Sequence, residues 1–307
     1  MRRLLLLTLC CAVLFAFGCE KQLTVDDVVM KTTQATGGAD SLAAITDQVS
    51  TWNFAMQMMM PMEAAMEPAE MPAEEMAEEG TEETAGEEMA EEEVAGEEMA
   101  EEGEAGEEMA EEGMPAGEMD NMDMVITFKR PNKIRFDFMM PGAAEAVMSS
   151  GYDGTVAWEM AHGQIQQKSE METKMDAEMA ATWLDGFQNY KEMGYTLELL
   201  PNEMVGEQDC VVLKGTNKDG NVQTYYYDAK TYHLVRQAGD MLNMQKVMEP
   251  MYMVFGDYDT ANGISGPSYV AQHLADGEMV WEATQKDVKH NTGVQDDVFA
   301  APDMTMK

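Results

Sequence analysis

The residue types that most often carry chemistry in proteins are sparse in this chain of 307 residues, and their spacing matches no common site. The four histidines are His162, His233, His273 and His290, and no two of them have the spacing of metal ligands. The sequence also contains no GxSxG nucleophile motif, no glycine-rich phosphate loop and no CxxC pair. We therefore expect no enzymatic activity, no cofactor and no specific metal site.

Cys19 is the one residue for which the sequence predicts a covalent modification. Arg2 and Arg3 precede a 14-residue apolar segment, residues 4–17, which is short for a bilayer span and typical of a signal peptide. The following residues, AFGC at 16–19, resemble a bacterial lipobox. This resemblance implies that residues 1–18 are removed, that Cys19 is acylated, and that the acyl chains anchor the protein to a membrane. An ordinary secretory cleavage near Gly18 is the alternative.

The remaining cysteine, Cys210, is expected to be a buried and inert thiol. It lies in the apolar, strand-like segment DCVVLKG, and Cys10 and Cys11 would leave with the signal peptide. With Cys19 acylated, Cys210 has no partner, so no intramolecular disulfide is expected.

An acidic repeat dominates the charge of the chain. Residues 62–119 contain 24 Glu and no basic residue, so they leave a net charge of only −15 on the rest of a chain that carries −39. This balance argues against binding to nucleic acid or to anionic lipid surfaces.

The repeat unit is AGEEMAEEEV, and its ten residues do not make whole turns of a helix with 3.6 residues per turn. Its Met residues would therefore share no helical face, and its Glu residues would repel each other at i,i+4. We expect residues 62–119 to form a disordered insertion between the first two strands. Weak binding of divalent cations is an alternative role for this segment. The Met cluster at 56–62 could suggest copper, but strand alternation already accounts for it.

Outside the repeat, alternation with a period of two predicts eleven or twelve antiparallel strands that are separated by short turns. One helix is predicted after Thr24 and is ended by Gly37 and Gly38, and a second is predicted over residues 172–190. The strands place bulky apolar residues at positions of one parity, and the second helix carries an apolar stripe. These residues are the candidate lining of a ligand cavity: Trp52, Phe54, Met56, Ile126, Phe128, Phe136, Phe138, Trp158 and Trp183. A closed apolar core would give the same pattern.

The order of several segments along the chain resembles the outer-membrane lipoprotein-sorting family, which includes LolA-like, LolB-like and LppX-like proteins. The segments that carry the resemblance are TGGADSLAAI, FKRPNKIRFDF, SSGYDGTVAWEM and FGDYDTANGISGPSYVAQHL, within residues 24–60 and 122–303. The resemblance implies a mainly β domain over residues 19–61 and 120–307. Its fold would be a strongly curved antiparallel sheet, an incomplete β-barrel, whose concave side is covered by helices and holds acyl chains.

Two functions remain open on the sequence. In the first, a membrane-anchored, periplasm-facing monomer binds lipid or acylated protein in an apolar cavity and takes part in transfer to the outer membrane. Glu20, which follows the predicted acylated cysteine, favours the outer membrane by the same resemblance. In the second, the acidic repeat binds cations or basic partners, and the β-domain serves as its scaffold.

Overall fold

The computed structural model describes residues 22–56, 121–161, 163–243 and 245–302. The predicted signal peptide, Cys19 and the acidic insertion at 62–119 lie outside the described residues. So do His162 and the Met cluster beyond Met56.

Thirteen described strands form one antiparallel sheet. In order across the sheet they are β6, β5, β4, β3, β2, β1, β13, β12, β11, β10, β9, β8 and β7, so the sheet is open and has β6 and β7 as its edges. Because β1 pairs with β13, both ends of the described chain meet in the centre of the sheet. The mainly β fold class predicted from the sequence is confirmed. The strands are β1 Asp47–Met56, β2 Met122–Lys129, β3 Lys133–Met139, β4 Met148–Tyr152, β5 Ala157–Ala161, β6 Gln164–Gln167, β7 Thr196–Val205, β8 Gln208–Thr216, β9 Val222–Asp228, β10 Leu234–Leu242, β11 Met248–Ala261, β12 Ile264–Leu274 and β13 Met279–His290.

Three described helices accompany the sheet: α1 Val25–Thr36, α2 Ala39–Ala43 and α3 Glu170–Thr182. Thr24 caps α1 in a reciprocal capping box with Asp27, and Gly37 ends the helix, as its sequence predicts. Ser169 and Glu172 form the same kind of box at the start of α3. A short 3₁₀ helix, Asp296–Phe299, follows the last strand.

An ion pair across the sheet requires strong curvature. Lys246, in the turn between β10 and β11, has its Nζ atom 2.5 Å from Oε1 of Glu159 on β5. Strand β5 lies seven steps from β11 and eight steps from β10 in the sheet order, which would be about 34–38 Å in a flat sheet with about 4.8 Å between strands. The sheet therefore curls, and we call the side on which Lys246 meets Glu159 the inner face.

Two boundaries differ from the sequence prediction. One strand, β6, is absent from the sequence prediction because three of its four residues, QIQQ, are polar and the segment is too short to show alternation. The second predicted helix, which is α3, ends at Thr182, about two turns earlier than predicted, and hydrogen-bonded turns continue to Gly194. Phe187, which the sequence predicts to lie in this helix, is therefore outside it, and its ring meets those of Tyr195 and Tyr225 edge-on.

Trp158 lies on the opposite side of the sheet from the other predicted lining residues, so the expectation of one shared face is wrong for this residue. The turn between β4 and β5 closes at the pair Tyr152–Ala157, which opposes even-numbered residues of β4 to odd-numbered residues of β5. The length of this turn therefore places the odd-numbered residues of β5 on the side of the sheet that carries the even-numbered residues of β4, so Trp158 points to the other side. Trp158 is fully buried there, and its Nε1 donates to the backbone oxygen of Phe299 at 2.8 Å.

Candidate functional site

The inner face carries the largest apolar cluster of the described residues, and strand register explains its membership. Residues that oppose each other in adjacent antiparallel strands point to the same side of a sheet. Trp52 opposes Met124, which opposes Phe138, and the next row places Ile126 opposite Phe136. Eight of the nine predicted lining residues thus belong to the inner face or to the helical segment above it, and Trp158 does not.

Burial differs among these eight residues. Four of them are buried: Trp52, Phe54, Ile126 and Phe128. Of these four, Phe128 belongs to a smaller neighbouring cluster with Leu42 of α2. Partly buried side chains complete the set: Met56, Phe136, Phe138 and Trp183. The cluster is therefore continuous but incompletely covered.

Helix α3 covers the β3–β5 part of the inner face. Ala180 is buried in the cluster, and Ala177, Met179 and Trp183 pack against it. The ring of Trp183 meets Phe136 edge-on, with 6.2 Å between ring centroids. Small residues on the helix let it approach the sheet closely, and Met and Trp fill the remaining space.

Sequence reasoning missed the contribution of β10–β13 to the inner face. The ring of Trp281 lies 5.6 Å from that of Phe54, which also contacts Phe138 at 5.1 Å. Val270 is a partly buried member of the same cluster. The alternation of Trp281 and Ala283 with polar residues does indicate that one side of β13 is buried. It does not indicate which strand β13 adjoins, because β13 lies next to β1 through a pairing between the two ends of the described chain.

Several neutral polar side chains lie among the apolar ones on the inner face beyond Trp281. Its Nε1 donates to Oε1 of Gln272 at 2.5 Å, and Nε2 of Gln272 contacts the sulfur of Met241 at 3.7 Å. Gln237 and Gln223 follow on β10 and β9, with 3.4 Å between their amide groups. These five side chains are uncharged, and they lie among apolar residues such as Met253, Phe255 and Leu213 on the same side of the sheet.

A cavity of about 60 Å³ lies between α3 and the ends of β8–β11. We call this cavity and the residues that line it the mouth: Met175, Glu178, Tyr195, Asn217, Asn221, Gln223, Asp240 and Met248. The carboxylate of Glu178 accepts a hydrogen bond from Nδ2 of Asn217 at 2.6 Å, which joins α3 to the turn between β8 and β9. None of the nine predicted lining residues lines this cavity, because their side chains are packed against each other.

Beside the mouth, the ion pairs of Lys246 connect the β10–β11 turn to β5 and to α3 across the inner face. Its ammonium contacts Glu159 and also Oε1 of Glu172 on α3, at 3.0 Å. Burial opposes ionisation of Glu172, but hydrogen bonds from Ser169 and the ammonium of Lys246 prevail and lower its pKa to about 2. Glu172 is thus ionised across the physiological range and holds the β10–β11 turn against the helix.

A second, wider groove of about 480 Å³ lies between α1 and residues 188–192, with Asp26, Met30 and Gln34 on one wall. Lys191 pairs with Asp26 across it at 3.1 Å. Both side chains are largely exposed, and the groove contains no residue predicted from the sequence.

The described residues with potential chemistry have separate structural partners. His233 stacks on Tyr258, with 4.0 Å between ring centroids, and His273 stacks on Tyr252 at 4.9 Å. Burial lowers the pKa of His290 and raises that of the Cys210 thiol, which disfavours a reactive thiolate. Within residues 22–56, 121–161, 163–243 and 245–302, no three His, Cys, Asp or Glu residues are grouped to hold a metal ion.

The described helices are also too short or too polar to cross a bilayer.

No family model and no curated protein matches the sequence, whereas several solved structures resemble the fold. A LolA superfamily protein from Nitrosomonas europaea is 12% identical, with a TM-score of 0.49, and the match covers 91% of this chain and 98% of that one. An outer-membrane lipoprotein-sorting protein domain from Vibrio parahaemolyticus is 11% identical, with a TM-score of 0.49 and coverage of 89% and 94%. A DUF1329 family protein from Desulfovibrio piger is 12% identical, with a TM-score of 0.48 and coverage of 90% and 97%. The structures similar to this chain include a LolA superfamily protein and an outer-membrane lipoprotein-sorting protein domain, the two kinds of protein that its sequence segments resemble.

Proposed function

We propose that this protein is a membrane-anchored, periplasm-facing lipoprotein that binds the acyl chains of lipid or acylated protein on its inner face. In this proposal residues 1–18 are the signal peptide, Cys19 carries the anchor, and residues 62–119 are a disordered insertion in a domain formed by 19–61 and 120–307. Transfer of the bound molecule towards the outer membrane is the role that we assign to it.

The observation that carries the proposal is the incompletely covered apolar cluster of the inner face. Phe136, Phe138, Val270 and Trp281 are only partly buried although they belong to the largest cluster of the described chain. Apolar side chains that retain contact with water gain free energy when an acyl chain covers them, at about 25 cal/mol per Å². The inner face therefore favours a long apolar ligand.

The covering helix is compatible with entry of such a ligand. Helix α3 contacts β3–β5 through small and flexible residues, and polar contacts hold its outer side at Lys246 and Asn217. Displacement of α3 would break these few polar contacts and expose the aromatic rings beneath it. In the described state the rings pack against one another, so ligand binding requires that the helix or the rings move.

Two adjacent residues of β11 provide a matched test. Met253 points to the inner face, because it opposes Gln272 and Gln237, whereas Val254 points to the other side. Both are partly buried. We expect Met253→Gln to weaken binding of a fluorescent fatty acid roughly tenfold, since an unpaired amide against an acyl chain costs about 1–3 kcal/mol. Val254→Thr should leave the affinity unchanged. The absence of saturable binding by the parent protein would contradict the proposed function.

A further inference from the structure

The predicted anchor lies very close in the sequence to the folded domain. Leu23, four residues after Cys19, already packs against an apolar cluster that contains Val28, Val211 and Leu213. Acyl chains on Cys19 would lie in the hydrocarbon core of a membrane, which places Cys19 itself in the headgroup layer. An extended chain of four residues spans at most about 14 Å, so the start of the domain would lie within about 14 Å of that layer.

Helix α1, which begins two residues after Leu23, lies across one end of the sheet. It contacts both β7 and β12, which are five steps apart in the sheet order. The Nζ atom of Lys31 lies 2.8 Å from the hydroxyl of Tyr232 in the β9–β10 turn, and Gly37 lies against the backbone of Gly263 in the β11–β12 turn. These two turns are at the same end of the sheet, because neighbouring strands alternate in direction. The short connection to Cys19 therefore brings this end of the sheet close to the membrane.

The exposed side of α1 carries residue types that are common at membrane interfaces. Met30 is 61% exposed and lines the wider groove between α1 and residues 188–192. Lys31 lies over the ring of Tyr232, at 4.5 Å from its centroid, and Lys191 lies over the ring of Tyr190 at 5.0 Å. Tyr and Lys side chains combine an apolar body with a polar tip, which suits the boundary between headgroups and acyl chains. We call Met30, Lys31, Tyr190, Lys191 and Tyr232 the anchor surface.

Charge would contribute little to a contact between the anchor surface and lipid. Lys191 pairs with Asp26 at 3.1 Å, and Glu192 adds a second carboxylate at the groove. These two carboxylates match the two lysines of the surface, so no excess of positive charge attracts anionic headgroups. The contact would depend on the acyl anchor and on the burial of the apolar and aromatic groups.

We propose that the anchor surface lies against the bilayer that holds the acyl chains of Cys19, with Met30 in the headgroup layer. This inference rests on the proposed function, in which Cys19 is acylated, and adds the orientation of the β-domain on the membrane. The β10–β11 turn beside the mouth lies at the other end of β10 from the β9–β10 turn, and nine residues of strand separate the two turns by about 30 Å. The mouth therefore faces away from this bilayer.

The test uses the full, acylated chain on phosphatidylcholine vesicles and compares Met30→Cys with Val247→Cys, each carrying the same fluorophore. Val247 is the matched control, because it is an aliphatic residue in the β10–β11 turn that is 56% exposed. Cys210 is fully buried and should not react with the label. A phospholipid with a nitroxide at its headgroup quenches only fluorophores in its immediate vicinity. We expect it to remove most of the fluorescence of the label at position 30 and almost none at position 247.

Flotation of the vesicles separates a wrong orientation from a missing anchor. If the protein floats with the vesicles but the two labels are quenched equally, or the label at 247 more strongly, or neither of them, the inference is wrong while the anchor stands. If the protein does not float with the vesicles, the proposed acyl anchor and the inference both fail.

Discussion

Replacing Lys246 with Met should loosen the contact between the β10–β11 turn and helix α3. The substitution keeps a long aliphatic side chain but removes the ammonium that lies 2.5 Å from Glu159 and 3.0 Å from Glu172. One ion pair connects the β10–β11 turn to the distant strand β5, and the other connects this turn to α3, so the loss of both weakens the contacts that hold the two sides of the inner face together. The hydrophobic cluster beneath α3 should remain intact.

The expected loss of unfolding free energy follows from the exposure of the Lys246 and Glu172 side chains. Lys246 is 45% exposed, so each of its ion pairs contributes at most about 0.5–1 kcal/mol. The side chain of Glu172 is only 9% exposed, but Ser169 still donates to it from its backbone nitrogen at 2.9 Å and from its hydroxyl at 2.6 Å. We therefore expect the free energy of unfolding to fall by about 1–2 kcal/mol.

Urea denaturation gives the change in unfolding free energy, and hydrogen exchange of the α3 amides reports local opening of the helix. Lys174→Met is the control, because Lys174 forms an exposed i,i+4 pair with Glu170 within α3 and contacts no other element through that pair. The control variant should lower the free energy of unfolding much less and should leave the hydrogen-exchange rates of the α3 amides nearly unchanged. If the two variants gave equal stability and equal exchange, the ion pairs of Lys246 would not hold the helix over the inner face.

Four further outcomes are expected. Phe54→Ala should cost about 3–5 kcal/mol in urea denaturation, since Phe54 is buried between two aromatic rings; a cost below about 1 kcal/mol would contradict the packing. The pKa of Glu172 is lowered from 4.5 to about 2, so its contribution to stability is complete above about pH 4.5 and is lost as the pH falls towards 2; in Glu172→Gln, the acid titration of stability should be flatter over this window. Replacing residues 62–119 with a short Asn-Gly turn should leave the thermal unfolding temperature of the β-domain unchanged or slightly raised, and failure of this variant to fold in circular dichroism would show that the segment is integral. Cys19→Ser should abolish acylation and release the protein from the membrane, whereas an intact mass of the native protein without lipid would refute the anchor.

Local signals made much of the fold predictable. Thr24 and Gly37 mark the ends of α1 because a capping side chain and a glycine with positive φ satisfy the terminal backbone groups. The alternation in β2 and β3 is equally clear, since one side of each strand faces the apolar cluster. Such patterns need no knowledge of the rest of the chain.

The errors arose where the outcome depends on loop geometry or on distant residues. The side of the sheet on which Trp158 lies depends on the length of the turn between β4 and β5, which the alternation within either strand does not reveal, and β6 forms because β5 offers its edge to a largely polar segment. The roles of Trp281 and Lys246 depend on the β1–β13 pairing and on the curvature of the sheet. Neither can be read from the segments that contain these residues.

The positions of the four tryptophans allow a direct measurement of the central claim, which is that acyl chains bind on the inner face. Trp52, Trp183 and Trp281 belong to that face or its covering helix, and Trp158 lies on the opposite side. A fatty acid with bromine on its acyl chain quenches only the tryptophans that it contacts.

In the full chain, the account predicts saturable quenching by this brominated fatty acid. The quenched fraction of the fluorescence should rise in Trp158→Phe, which removes an unquenched tryptophan, and should fall in Trp281→Phe. Absence of saturable quenching, or quenching that is lost in Trp158→Phe and kept in Trp281→Phe, would contradict binding on the inner face.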